Sequence, residues 1–222
     1  MSAGRVRRRS LFAALLLAAL LLVAPLLLTA AHAADLVVRV TDGRGGPQAG
    51  AVIVAEPAAG VERPAGSARA VIDQVDRAFT PHVSVLRAGT SVTFPNHDSI
   101  RHQVYSYSKA RSFTLRLYAG QPANPVLFDK PGVVALGCNI HDSMLAWVLV
   151  VDTPWTARSD SDGEARLMGL PAGRYRLRAW AEPMPALTEG VEVELGGDAP
   201  VRRAVMLDPA RYSGEQLPTP PP

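Results

Sequence analysis

Cysteine is nearly absent from this sequence: one residue, Cys138, among 222. No internal disulfide can form. In an exported chain a lone thiol is a spare group, an intermolecular partner or a ligand. Histidine is scarce too, with five in the chain and none in a His-x-His pair. A surplus of one charge is also missing once the first segment is set aside. Four of the 23 basic residues and none of the 20 acidic ones precede Ala34, which leaves nineteen against twenty, a net charge of −1. The pI of about 9.3 therefore belongs largely to the leader, and the remainder gives no reason to expect nucleic acid binding. No stretch has a convincing helical period. No catalytic signature occurs, so the chain does not read as an enzyme.

The leader is explicit. Arg5, Arg7, Arg8 and Arg9 precede an almost unbroken apolar run over 11–28, and Ala31-His32-Ala33 offers small residues for cleavage. This predicts a secretory signal over 1–33, cut after Ala33, and a periplasmic or otherwise exported bacterial protein. The run is nearly long enough for an uncleaved anchor. Pro25 and the cleavage pattern favour removal, after which no stable membrane association is expected. Arg8-Arg9-Ser10-Leu11-Phe12 resembles a twin-arginine signal, but so apolar a core fits the general secretory route better. No cysteine follows the run, which excludes a lipoprotein signal. About 190 residues remain, enough for one large or two small β domains.

What is present after the leader is a succession of short strands. Runs at 36–41 and 51–55 flank the turn Asp42-Gly43-Arg44-Gly45-Gly46-Pro47, and a loop rich in Ala, Gly and Pro follows over 57–66. From Ala70 the expected strands are 70–75, 83–86, 91–94, 102–107, 113–117, 126–128, 133–136 and 145–151. Turn residues sit between them, as at Ala88-Gly89 and Lys130-Pro131-Gly132. After Pro154 come a turn at 159–163, a strand at 164–167, a turn at Leu170-Pro171-Ala172-Gly173, then strands at 174–180, 191–195 and 201–207. The run Arg174-Tyr175-Arg176-Leu177-Arg178-Ala179-Trp180 alternates polar and apolar as a half-buried strand does. The expected class is all-β, an antiparallel sandwich or barrel. A disordered Pro-rich tail is expected over 209–222.

The chemistry concentrates on Cys138-Asn139-Ile140-His141-Asp142-Ser143-Met144, a loop between two apolar runs. Two His, one Cys thiolate and a weak axial Met form the set that suits type 1 copper, and this loop supplies all but one His. His102, on an expected strand, is preferred over His97 in the turn before it, because a strand holds a ligand more stiffly. His82 and His97 are read as solvated, Trp147 as a packing residue, and Tyr105 and Tyr107 as sheet-face residues. The scarcity of histidine excludes a multicopper enzyme.

These residues resemble a known family. Ser91-Val92-Thr93-Phe94-Pro95-Asn96 followed by Arg101-His102-Gln103-Val104 is similar to the first-histidine segment of the cupredoxins, above all amicyanin. Cys138-x-x-His141-x-x-Met144 resembles its short ligand loop. The likeness covers about 69–153 and is of the plastocyanin/amicyanin-like, methylamine-utilisation type. It implies a Greek-key sandwich with one type 1 copper ion on His102, Cys138 and His141, Met144 as axial ligand, and Asn96 bracing the ligand loop. It further implies a one-electron carrier that meets a redox partner protein through the surface around His141, near Ile140 and Leu145. Arg101, Gln103 and Ile140 depart from the family's usual proline, asparagine and proline. Copper delivery or sequestration on the same ligands, and a metal-free binding module, are the alternatives.

The flanks resemble the two halves of a carboxypeptidase-regulatory-like, or prealbumin-like, β-sandwich. Neither 34–68 nor 154–208 has enough strands to bury a core alone. Together they do, which predicts the copper-type domain inserted into a loop of this second sandwich. A linear order, with the two units packed side by side, is the alternative.

Overall fold

A computed structural model describes residues 33–58, 68–122, 124–196 and 199–212. All but Ala33 of the signal predicted over 1–33, most of the loop at 57–66 and the tail beyond Tyr212 lie outside the described residues. In chain order the strands are β1 (Ala33–Thr41), β2 (Val52–Pro57), β3 (Arg69–Val71), β4 (Asp73–Val75), β5 (Ala78–Thr80), β6 (Val83–Arg87), β7 (Thr90–Thr93), β8 (His102–Tyr107) and β9 (Ser112–Tyr118). They continue as β10 (Val126–Phe128), β11 (Gly132–Gly137), β12 (Leu145–Val151), β13 (Thr156–Arg158), β14 (Glu164–Pro171), β15 (Gly173–Trp180), β16 (Val191–Leu195) and β17 (Val201–Met206). No α-helix occurs among the described residues. The fold is all-β and built as sandwiches.

Four sheets carry the structure, in the orders β14-β1-β17, β13-β2-β15-β16, β6-β12-β11-β8-β9 and β10-β7-β3, with a β4-β5 hairpin beside them. Among the described residues, strands before residue 58 pair only with strands after residue 155, and those between 69 and 151 pair among themselves. The strand pairing is mixed, unlike the antiparallel scheme expected. β1 runs parallel to β17, β6 to β12, and β3 to β7. Hydrophobic alternation fixes which side of a strand is buried but carries nothing about neighbour direction.

The five-stranded sheet is buried on both sides along its centre. Val134, Leu136, Ala146, Val148 and Val150 face a core shared with Ile72, Val92, Phe94 and Phe128. The alternate residues Ala135, Trp147, Leu149 and Val151 join a second core with Val52, Val54 and Trp180. That is why 145–151 is a continuous apolar run rather than an alternating one. The Trp147 and Trp180 rings meet at 5.7 Å between centroids. Ile53, Ala55, Tyr175 and Leu177 belong to the same core, as do Leu36, Val38, Val40 and Leu167.

Local details correct several boundaries. The strand expected over 70–75 is split at Ile72, whose side chain turns into the core at 1 % exposure. Neither β5 nor β13 shows in the sequence: each is three residues long and, unlike the equally short but wholly apolar β10, has no apolar run to mark it. The turn expected at 170–173 contracts because β14 runs on to Pro171, which pairs with Ala33. Pro209–Tyr212 form a 3₁₀ turn where the sequence predicts the start of the tail, with Tyr212 packed on the core and Arg211 bonded to Asp208. Gly163 has φ of +75°, and a Cβ there would lie 2.4 Å from the Val40 carbonyl oxygen, so only glycine fits this turn.

Trp180→Ala and Trp147→Ala should each lower the unfolding free energy by about 3–5 kcal/mol, as for other buried aromatics. Urea denaturation checks this, and it should stay a single transition. Two separate transitions, with only one shifted, would show that the sheets on either side of Trp147 are not energetically coupled.

Candidate metal centre

β11 and β12 form a hairpin closed by the register Gly137↔Leu145, with 138–144 as its connection. The Met144 amide donates to the His141 carbonyl at 3.0 Å, which tightens this loop. Cys138 is 3 % exposed and shares its core with Phe94, Leu136 and Ala146. His102 opens β8, the neighbour of β11 in the central sheet.

The donors converge. One ligand atom each from His102, Cys138 and His141 lies within 4.8 Å of the others. His102 Nδ1 is 3.9 Å from Cys138 Sγ, and the two imidazole rings are 5.0 Å apart. His141 Nδ1 is buried with no hydrogen-bond partner. A buried unpartnered nitrogen beside a thiol and a second imidazole fits a metal ion, which would satisfy all three lone pairs at once. Met144 is 2 % exposed and closes the same loop. The group can therefore hold a metal ion of the kind that nitrogen and thiolate donors take.

The other two histidines among the described residues, His82 and His97, lie elsewhere. His97 is exposed and its Nδ1 is 2.7 Å from the Asp73 carboxylate. His82 bonds the Leu145 carbonyl at 3.0 Å and Glu182 at 2.7 Å. Both are exposed, as a solvated histidine should be, but each is also tied to a carboxylate. Asn96 departs from expectation. Its Nδ2 donates to the carbonyls of Ile100 and Tyr118, and its Oδ1 accepts from the Asp98 amide at 3.0 Å. It braces the loop leading to His102 and ties it to β9, rather than bonding the 138–144 loop.

Sequence reasoning missed one residue. Asp98 bonds His102 Nε2 at 2.7 Å; a carboxylate four residues before the preferred histidine was the available signal. Burial pulls the Asp98 carboxyl up, but bonds from the Arg77 amide, His102 and the Asp76 amide outweigh it and hold it below its ordinary range. Tyr105 lies over Gly137, where a Cβ would come within 2.7 Å of the phenol ring. Burial, Tyr107, Cys138 and Asp142 push the Tyr105 phenol up.

No family model matches the chain, and no curated relative matches it by sequence. Among solved structures it is similar to a copper-containing nitrite reductase from Thermus scotoductus SA-01, at 24% identity over 36% of this chain and 22% of that one, TM-score 0.35. The chain thus spans about a fifth of that enzyme's length. It is also similar to a purple cupredoxin from Nitrosopumilus maritimus, at 21% identity over 37% of this chain and 99% of that one, TM-score 0.33. A reduced amicyanin variant is 20% identical over 46% of this chain and 98% of its own, TM-score 0.34.

In the folded, metal-free protein Cys138 should react with a thiol reagent far more slowly than in urea, and slower still with Zn(II) added. Equal rates in the folded and denatured states would show that the thiol is not enclosed.

Proposed function

We propose that this chain is an exported type 1 copper protein that carries single electrons and is not an enzyme. The observation that supports it most is the convergence of two imidazoles and one thiol within 4.8 Å. Bound copper would supply a one-electron Cu(I)/Cu(II) couple. His102, Cys138 and His141 would hold it, with Met144 as a weak fourth ligand. The chain's part is to keep those donors in place through the redox change. His102 and Cys138 are buried beside paired strands and cannot rearrange cheaply.

His141 is only partly buried, and its neighbour Ile140 is 50 % exposed. This edge is where a redox partner protein would dock, in the small transient contact such encounters use. We take 69–153 as a cupredoxin inserted in a second sandwich formed by 34–68 and 154–208. The leader over 1–33 would deliver the chain to the periplasm.

Titration of the purified mature protein with Cu(II), followed by visible absorption and electron paramagnetic resonance, tests this. An intense thiolate-to-copper band with narrow hyperfine splitting is expected. It should vanish in Cys138→Ser and His102→Ala and persist in His82→Ala and His97→Ala. No band from a folded protein with a free thiol would sink the electron-carrier reading. Tight Cu(I) binding without the band would point to copper delivery instead.

A further inference from the structure

We propose that Asp98 is a positioning residue for the metal centre: its carboxylate fixes the His102 ring with Nδ1 toward Cys138 and lends the imidazole negative charge. The redox consequence rests on the copper reading above; the orienting role belongs to the metal-free protein.

His102 is wholly buried, so its ring nitrogens cannot turn to water. An ionised carboxylate only accepts hydrogen bonds. At 2.7 Å from Asp98 Oδ2, Nε2 must therefore carry the proton. In the neutral ring the lone pair is then left on Nδ1, the nitrogen that faces Cys138 Sγ. Such a partner sets the tautomer and makes the imidazole a stronger donor.

Asp98 is itself held. The Asp76 amide donates to Oδ1 at 2.7 Å and the Arg77 amide to Oδ2 at 2.9 Å. Those two residues form the β4-β5 turn with φ of 54° and 58°, a left-handed pair that few residues other than glycine, asparagine and aspartate favour. Both carboxylate oxygens thus face donors. An amide in place of the carboxylate would set an N–H against an N–H at one of them. The hairpin, the carboxylate and the imidazole form one chain of contacts ending at the metal donors.

The test compares wild type with Asp98→Asn, Asp98→Ala and Asp98→Glu. In metal-free protein in alkaline buffer, 15N chemical shifts of His102 should show the Nε2–H tautomer in wild type and a mixture in Asp98→Ala. Cu(II) affinity of Asp98→Ala should fall about 10–100-fold. Its preference for Cu(II) over Cu(I) should fall about tenfold, which raises the reduction potential by about 59 mV. Asp98→Asn, which keeps an acceptor for Nε2, should retain the tautomer but show the raised potential, and Asp98→Glu should restore part of the loss. Should Asp98→Ala fail to fold, Asp98→Leu, which has no acceptor for Nε2, replaces it in the tautomer measurement, and Asp98→Asn decides the effect on the potential. Wild-type tautomer, affinity and potential in the folded variants would overturn the proposal. If wild type binds no copper, the copper reading falls, and the tautomer measurement still decides whether Asp98 orients His102.

Discussion

The two middle strands of the central sheet, β11 and β12, must bury both of their faces, and most of the architecture follows from that. β11 and β12 send alternate side chains into two different cores, one closed by β7 and β10, the other by β2 and β15. A strand in that position has no solvent side. Its sequence is apolar throughout, and a slip of one residue would exchange the two cores rather than expose one. Trp147 and Trp180 make such an exchange costly, since each is shaped to the other at the junction.

This constraint also explains why the hairpin connection can hold a buried thiol. Cys138 leaves a strand whose register is fixed from both sides, and Met144 leads into the partner strand just as tightly held. The His102 side is fixed differently, by polar contacts. Gln74 Nε2 donates to the carbonyls of Phe94 and Pro95, and Tyr118 donates its hydroxyl to the Phe94 carbonyl. Burial pushes the Tyr118 phenol up to about 12, so it remains a donor across the ordinary pH range. Asn96 then ties the following loop to β9. One donor is set by apolar packing and the other by a buried hydrogen-bond network.

Much of this was legible in the residues. The strands at 102–107 and 174–180 show their period because one side of each is more exposed. The ligand-type residues were legible because Cys138, His141 and Met144 share one short loop. Three things were not. β5 and β13 are short and have no apolar run to mark them, and their existence depends on β4 and β2 as partners. Parallel pairing of β1 with β17 depends on where a long connection returns. Asp98 was hidden because it looks like any turn aspartate; its role shows only when the Asp76-Arg77 turn and His102 are brought to it from either side.

The covering of the central sheet bears on how an electron would reach the site. On the electron-carrier reading, the side of the sheet away from Cys138 is enclosed by β2 and β15, so a partner docking there would meet those strands first. His102 is wholly buried and Cys138 nearly so, whereas His141 is partly open beside an exposed Ile140. Tunnelling weakens steeply with distance, so on that reading the short route would run through His141. The layer of β2 and β15 thus restricts access without supplying a ligand: it leaves the edge formed by the 138–144 loop as the approach with the least intervening protein.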